Sequence, residues 1–116
     1  MSEQRRDREY LTDMVEAMRR IRVYTEGVTY EQFLKDTKTQ YAVIRNLEVI
    51  GEAAKKVSSS LKSSYPQLPW RSMVRMRDKV IHHYFGINYD IVWNVATQEV
   101  PSLLSEIDRI LHHEPE

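Results

Sequence analysis

The sequence predicts an all-α protein, an up-and-down bundle of four to five helices in a single domain spanning residues 1–116. Three observations predict this fold. Apolar residues recur at helical spacing along most of the chain, no segment alternates as a strand does, and only three glycines and four prolines interrupt the pattern. A length of 116 residues also suits one ordinary domain. The charged N-terminal end and the tail 114–116 are expected to fray.

The first three helices are predicted from their apolar stripes and end signals. The first ends near Glu26-Gly27, because glycine readily takes the left-handed conformation that closes a helix. Thr29 and Gln32 have the spacing of a capping box and begin a short second helix. A long third helix runs from about Thr39 to Ser58, and Gly51 in its stripe lets a neighbouring helix come close. The two long stripes are Leu11, Met14, Val15, Met18 and Ile21, and then Val43, Leu47, Ile50, Ala54 and Val57.

The second half of the chain is predicted to hold a loop and three more helices. Residues 58–69 form a loop with one helical turn, and the next helix runs from Trp70 to Phe85. Asn88 caps a further helix through Val95. Pro101 then stands in the first turn of the last helix, where its missing N–H costs little.

Composition narrows the classes of function. Basic and acidic residues balance at 17 each, so any contact with nucleic acid must come from a local patch. The absence of cysteine excludes disulfides, thiol catalysis and cysteine-ligated zinc. No apolar run reaches the roughly 20 residues that span a bilayer. We therefore expect no membrane partner and a cytoplasmic location.

Arg77 is the residue that a purely structural interpretation explains least. On a continuous helix from Trp70, a turn of about 100° per residue places Arg77 about 20° from Trp70, inside the apolar stripe. A guanidinium keeps its proton and is costly to bury alone. Arg77 therefore needs a carboxylate, a second chain or an anionic ligand, and the candidate carboxylates are Glu48 and Glu52.

His82 and Asp78 complete the candidate site. On the same continuous helix, His82 lies about 140° around from Arg77, whereas Asp78 shares its face and can orient the imidazole. Two chains related by a twofold axis would bring arginine and histidine together around one groove. An RNA-binding basic patch, or simply a solvated helix face, is formed by Arg71, Arg75 and Lys79.

An arginine and a histidine together suit RNA cleavage without a metal. Imidazole titrates near neutral pH, so it can accept the proton of the 2′-hydroxyl or protonate the leaving 5′-oxygen. A guanidinium can bind the charge that gathers on the phosphorane. The four histidines form two adjacent pairs and lack the i,i+4 spacing of ligands on one helix face. We therefore expect neither a metal site nor a cofactor.

The segment Arg77-Asp78-x-x-x-His82-x-Tyr84 resembles the R-x4-H-x-Y motif of HEPN domains, in the form found in the HepT toxins of HEPN–MNT toxin–antitoxin pairs. The resemblance extends from about Tyr10 to Leu111 in ordered blocks, among them Asp36–Gln40, Ile44–Ala54, Tyr65-Pro66, Pro69–Arg71, Tyr84–Ile87 and Ile91–Trp93.

This resemblance implies a HEPN-like helical bundle, a homodimer whose R-x4-H sites face a shared cleft, and a metal-independent endoribonuclease toxin of a type VII-like pair. It implies that Arg77 and His82 are catalytic. It also implies a cognate MNT-type nucleotidyltransferase antitoxin, which silences the toxin by transferring AMP to Tyr84. Asp78 stands where many relatives have asparagine, and His83 fills a variable position.

Two other interpretations stay open. A non-catalytic HEPN module would bind nucleotide or protein, and a structural helical adaptor would explain the stripes but not Arg77. Trp70 and Trp93 could stack on RNA bases, as aromatic side chains do in many RNA-binding proteins. Their positions on apolar stripes favour core packing instead.

Overall fold

The computed structural model describes residues 2–82 and 86–113, with His82 described by its backbone alone, and its architecture is an all-α bundle, as predicted. One short antiparallel pairing, Ile81 opposite Ile87 and His82 opposite Gly86, interrupts the helices. The elements are α1 (Glu3–Thr25), α2 (Tyr30–Leu34), α3 (Thr37–Lys56), α4 (Ser59–Ser64), α5 (Trp70–Val74), α6 (Met76–Val80), β1 (Ile81–His82), β2 (Gly86–Ile87), α7 (Tyr89–Asn94), a π-helical turn (Val95–Glu99) and α8 (Val100–His113).

The centre of the bundle is the packing of α1 against α3. The apolar stripes predicted for these two helices are all buried, and α8 packs on the other side of α1. The buried carboxylate of Asp7 accepts hydrogen bonds from the backbone N–H of Ser58 at 2.8 Å and from its hydroxyl at 2.5 Å. Because Asp7 is near the start of α1 and Ser58 follows the end of α3, the two helices run antiparallel.

The ends of α1 and α2 follow the sequence signals. Gly27, just past the end of α1, has a φ of +72°, a left-handed conformation that side chains disfavour. The capping box is formed as predicted. The Thr29 hydroxyl accepts from the Gln32 backbone N–H at 3.1 Å, and the Gln32 side chain accepts from the Thr29 backbone N–H at 2.9 Å.

Helix α3 begins at Thr37 rather than at Thr39, because Asp36 caps it. The Asp36 carboxylate accepts from the Thr39 hydroxyl at 2.6 Å and from the Thr39 backbone N–H at 3.1 Å. These bonds favour the ionised form, and the hydroxyl bond is the main cause that lowers the pKa of Asp36. The cap therefore contributes stability above the ordinary aspartate pKa and loses it as the pH falls through the lowered value.

The C-terminal third is one continuous helical run rather than two separate helices. Asn88 caps α7 as predicted, its side chain accepting from the Ile91 N–H at 3.1 Å. The run then passes through the π-helical turn, in which the Val100 N–H bonds to the Val95 carbonyl five residues back. Pro101 lies in the first turn of α8, and the widened turn before it accommodates a residue that cannot donate an i to i−4 bond.

Helix α5 approaches α3 at Gly51, the glycine that the stripe singled out. A Cβ added to Gly51 would lie 3.1 Å from the Val74 carbonyl oxygen and 3.4 Å from that of Met73. Both atoms belong to backbone, so they move only if α5 moves. The missing side chain therefore sets the distance between α3 and the segment that carries the candidate site.

We expect Gly51→Ala to lower the free energy of unfolding by about 1 kcal/mol, measured by urea denaturation. Crowding of a packed backbone costs about 1–3 kcal/mol, and this outweighs the gain of about 1 kcal/mol in helix propensity. The matched control is the neighbouring exposed position, where Glu52→Ala should be more stable than Glu52→Gly by about 1 kcal/mol. If Gly51→Ala raised the free energy of unfolding by about the same 1 kcal/mol as this control, the close approach of α5 would not restrict the side chain at position 51.

Candidate active site

The candidate site lies on two short helices, α5 and α6, rather than on one long helix. The chain enters α5 after Pro69, and the buried Trp70 indole donates from Nε1 to the Tyr65 carbonyl at 2.9 Å. Helix α5 ends at Val74, and Arg75, with φ −92° and ψ 14°, forms the joint to α6. The prediction of a continuous helix from Trp70 to Phe85 is therefore wrong.

The joint at Arg75 changes which side chains face the core. Met76 is 1% exposed, whereas the Arg77 side chain is 57% exposed, so the predicted burial of Arg77 is wrong. A helical wheel assumes a constant rotation per residue, and the irregular Arg75 breaks that assumption. Met73, Met76 and Val80 fill the core together as a result.

Arg77 faces α3 from the solvent side of α6. Its Nε lies 3.9 Å from Oε2 of Glu48, which is one of the two carboxylates predicted from the sequence as partners of Arg77. Both side chains are partly open to solvent, and exposed pairs of this kind contribute at most about 1 kcal/mol. The ion pair therefore leaves the guanidinium free to exchange Glu48 for another anion.

His82 lies beyond the end of α6, in the strand β1. Ile81 already has extended backbone angles, and the Asn88 N–H donates to the Val80 carbonyl at 2.9 Å, which closes the end of the helix. Asp78 and His82 do not share a helix face, because the helix between them ends at Val80; that prediction is wrong. The His82 side chain lies outside what the structure describes, and so does Tyr84, the predicted modification site.

Four other residues of the predicted site, Arg71, Arg75, Asp78 and Lys79, line an open groove of about 780 Å³ beside α5 and α6. Arg77 does not line this groove, so the structure places it apart from the predicted basic patch. The lining residues are Leu68, Pro69, Trp70, Arg71, Ser72, Arg75, Asp78 and Lys79.

Glu99 joins this surface from the π-helical turn, and sequence reasoning missed it. Lys79 Nζ lies 3.0 Å from each carboxylate oxygen of Glu99. Twenty residues separate the two in sequence, and no motif or stripe connects them. Only the packing of α6 beside the C-terminal helical run brings them together.

The two tryptophans belong to the protein interior, as their stripes favoured. Trp70 is buried. The Trp93 ring packs beside Phe33, with centroids 5.1 Å apart, and Tyr30, with centroids 6.0 Å apart. Trp93 is only partly buried, but it packs against the core.

Two other kinds of feature are absent from the described residues, namely a metal-binding cluster and a membrane-spanning helix. No three His, Asp or Glu side chains there are placed to hold a metal ion. None of the helices there is long and apolar enough to cross a membrane.

Comparison with known proteins gives a consistent family. Residues 14–110 match the family model described as "Ribonuclease HepT-like". The chain is 51% identical over 104 residues to "Putative RNase MJ0127" of Methanocaldococcus jannaschii, covering 90% of this chain and 86% of that protein. It is 43% identical over 106 residues to "Probable ribonuclease HepT" of Thermococcus cleftensis, covering 91% and 96%. No solved structure matches this chain significantly.

We expect Arg77→Ala to change the free energy of unfolding by less than about 1 kcal/mol, because only an exposed ion pair is lost. The adjacent Met76→Ala should cost about 2–5 kcal/mol, because it opens a cavity in the core. Urea denaturation of the two variants reads out which residue faces inward. A larger loss for Arg77→Ala than for Met76→Ala would contradict the joint at Arg75.

Proposed function

This chain belongs to the HepT-like ribonuclease family, and on that premise we propose that it is a metal-independent endoribonuclease toxin in which Arg77 and His82 carry the reaction. The observation that supports this most directly is the exposed Arg77 guanidinium, held by a single long ion pair to Glu48 among the described residues. Helix α6, which carries it, leads directly into the strand that holds His82. A structural arginine would be expected to have a closer or more buried partner.

The proposed reaction is transfer of a phosphoryl group within the RNA. The 2′-oxygen attacks the adjacent phosphorus while the bond from phosphorus to the 5′-oxygen breaks. One proton leaves the 2′-hydroxyl, another reaches the 5′-oxygen, and an imidazole such as that of His82 can perform either transfer. Arg77 stabilises the added negative charge on the phosphorane. The products are a 2′,3′-cyclic phosphate end and a 5′-hydroxyl end.

A role for Asp78 in this reaction has less support than the roles of Arg77 and His82. Its expected orienting role relied on a helix face shared with His82, and α6 ends between them. Asp78 lines the groove instead. Its orienting role stays a prediction from the family resemblance.

We also propose that the active form is a homodimer with a composite site. Arg77 lies on α6 and His82 on the strand after it. A twofold axis beside this segment would place the arginine of one protomer near the histidine of its partner. The exposure of Arg77 supports the idea, because an exposed guanidinium can reach across an interface.

Control of the toxin is proposed to act through Tyr84. A cognate MNT-type nucleotidyltransferase would transfer AMP from ATP to the phenol oxygen, in the cytoplasm where the pair is expected to work. The phenol loses its proton as its oxygen bonds to the α-phosphorus, and the bond from that phosphorus to the β-phosphate breaks and releases pyrophosphate. The added phosphodiester carries a negative charge that can pair with Arg77 and compete with the RNA phosphate. The modified toxin would then keep its fold and lose its substrate.

We expect the purified protein to cleave RNA at an undiminished rate in EDTA and to leave 2′,3′-cyclic phosphate ends, detected by mass spectrometry of the fragments. His82→Ala and Arg77→Ala should each reduce the rate at least about 100-fold, the scale of one lost acid–base or charge-stabilising group. Full cleavage by a clean His82→Ala preparation would leave the non-catalytic HEPN module as the better interpretation. Loss of activity in EDTA with recovery on adding magnesium or zinc would indicate a metal enzyme.

Mixing the two inactive variants tests the composite site. If Arg77 and His82 act across the interface, a heterodimer of Arg77→Ala and His82→Ala has one intact site of two. Random exchange makes half of the dimers heterodimers, so activity should return to about a quarter of the wild-type level. A mixture that stays inactive although mass measurement shows exchanged dimers would contradict a site shared between protomers.

We expect co-expression with the cognate nucleotidyltransferase to add mass in units of AMP to the peptide that contains Tyr84, and Tyr84→Phe to remove the addition. Intact-mass and peptide mass spectrometry measure both. Toxicity should return in Tyr84→Phe, because the unmodified Arg77 stays available to RNA. Neutralisation of the toxin without any covalent addition would show that the partner acts by binding alone.

A further inference from the structure

The open groove beside α5 and α6 has two chemically different walls. The apolar wall consists of Leu68, Pro69 and Trp70. The hydrogen bond from the Trp70 indole to the Tyr65 carbonyl holds this wall in place. The other lining residues are Ser72, two arginines, one lysine and one carboxylate. Its volume of about 780 Å³ lies in the range of small-molecule sites, which is about 300–1,000 Å³.

Arg71 and Arg75 are the available cations of this groove. The backbone N–H of Arg75 bonds to the Arg71 carbonyl at 3.2 Å, so the two lie one helical turn apart and project to the same side. Both are exposed, and neither forms an ion pair with any side chain in the described part of the chain. Two arginines without carboxylate partners beside an apolar wall favour an anionic ligand that also has an apolar body.

Lys79 differs from these arginines although it lines the same groove. Both carboxylate oxygens of Glu99 lie 3.0 Å from its ammonium group, so its charge is already compensated. An anion in the groove would have to displace Glu99 to gain this third cation. The groove therefore offers two free positive charges rather than the three that the sequence suggests.

We propose that this groove holds one unstacked nucleotide of single-stranded RNA, with its base on the apolar wall and its flanking phosphates on Arg71 and Arg75. This inference rests on the proposed ribonuclease function. A base within a duplex is paired and stacked, so it cannot reach a wall of this kind, whereas a base in a loop or single strand can. The groove thus selects unpaired RNA as the substrate class.

The test measures binding separately from cleavage. The probe is a fluorescein-labelled, mixed-sequence single-stranded 12-mer with 2′-O-methyl riboses, which the proposed reaction cannot cleave. Binding is measured by fluorescence anisotropy over a series of salt concentrations. Each phosphate contact on a single strand contributes about 0.7 to the slope of log K against log salt. The double variant R71A/R75A should therefore reduce the slope by about 1.4. It should also weaken binding at least about tenfold at low salt, on the scale expected for two lost phosphate contacts.

Two further variants separate charge from shape. Ser72→Leu fills part of the groove without adding a charge or an aromatic face, so it should weaken binding while the salt slope stays as in the wild-type protein. Arg20→Ala removes an exposed cation of α1, which pairs with Glu16 outside the groove, and should change neither quantity. Circular dichroism of each variant confirms folding. Binding of the matched duplex as tight as that of the single strand would overturn the role of the apolar wall.

The outcomes also distinguish this inference from the proposed function. Wild-type slope and affinity in R71A/R75A, or no binding of the 12-mer by the wild-type protein, would overturn the groove as an RNA subsite. Unchanged RNA binding together with loss of the dimer mass in light scattering would instead identify the groove as a subunit interface. A wild-type protein that binds the 12-mer through the groove yet cleaves no unmodified RNA would refute the ribonuclease proposal and leave the subsite standing.

Discussion

The packing of α1 against α3 is the contact on which the rest of the molecule depends. Each fully buried Leu, Ile or Met side chain in it contributes about 1.5–3 kcal/mol relative to exposure. Asp7 aligns the two helices by binding the chain just after α3. The other elements then attach to this pair: α8 covers α1, and α5 approaches α3 where Gly51 has no side chain. Helix α6, which carries Arg77, follows α5 and also packs directly against α3.

Two interruptions in the segment from Trp70 to His82 give the candidate site its geometry. The joint at Arg75 turns Met76 inward and leaves Arg77 beside Glu48 in solvent. The end of α6 at Val80 then moves His82 from a helix to a strand. With the joint in place, Met73, Met76 and Val80 all reach the core. As a result, Arg71, Arg75, Asp78 and Lys79 line the groove, whereas Arg77 lies outside it beside Glu48.

This division reconciles an electrically neutral chain with a nucleic-acid substrate. With equal numbers of acidic and basic residues there is no long-range attraction to RNA. In the proposed function, attraction to RNA comes from arginines at the candidate site and its groove whose ion-pair partners among the described residues are weak or absent, namely Arg71, Arg75 and Arg77. Lys79 is not one of these cations, because Glu99 compensates its charge. The proposed binding surface is therefore defined by the local distribution of ion pairs and not by the net charge of the chain.

The sequence by itself determined the all-α class, the buried stripes of α1 and α3, the capping box at Thr29, the cap at Asn88 and the close approach at Gly51. These features depend on residues a few positions apart, and helical periodicity and capping chemistry act over that range. It also indicated the family through an ordered set of motif blocks, of which the spacing of Arg77 and His82 is one, and the family match over residues 14–110 confirms it. Only the tertiary structure decided that α5 and α6 are separate, that Arg77 is exposed, and that Glu99 meets Lys79. Those outcomes depend on which side chains the core can accept and on contacts between distant segments, and neither leaves a periodic signal in the chain.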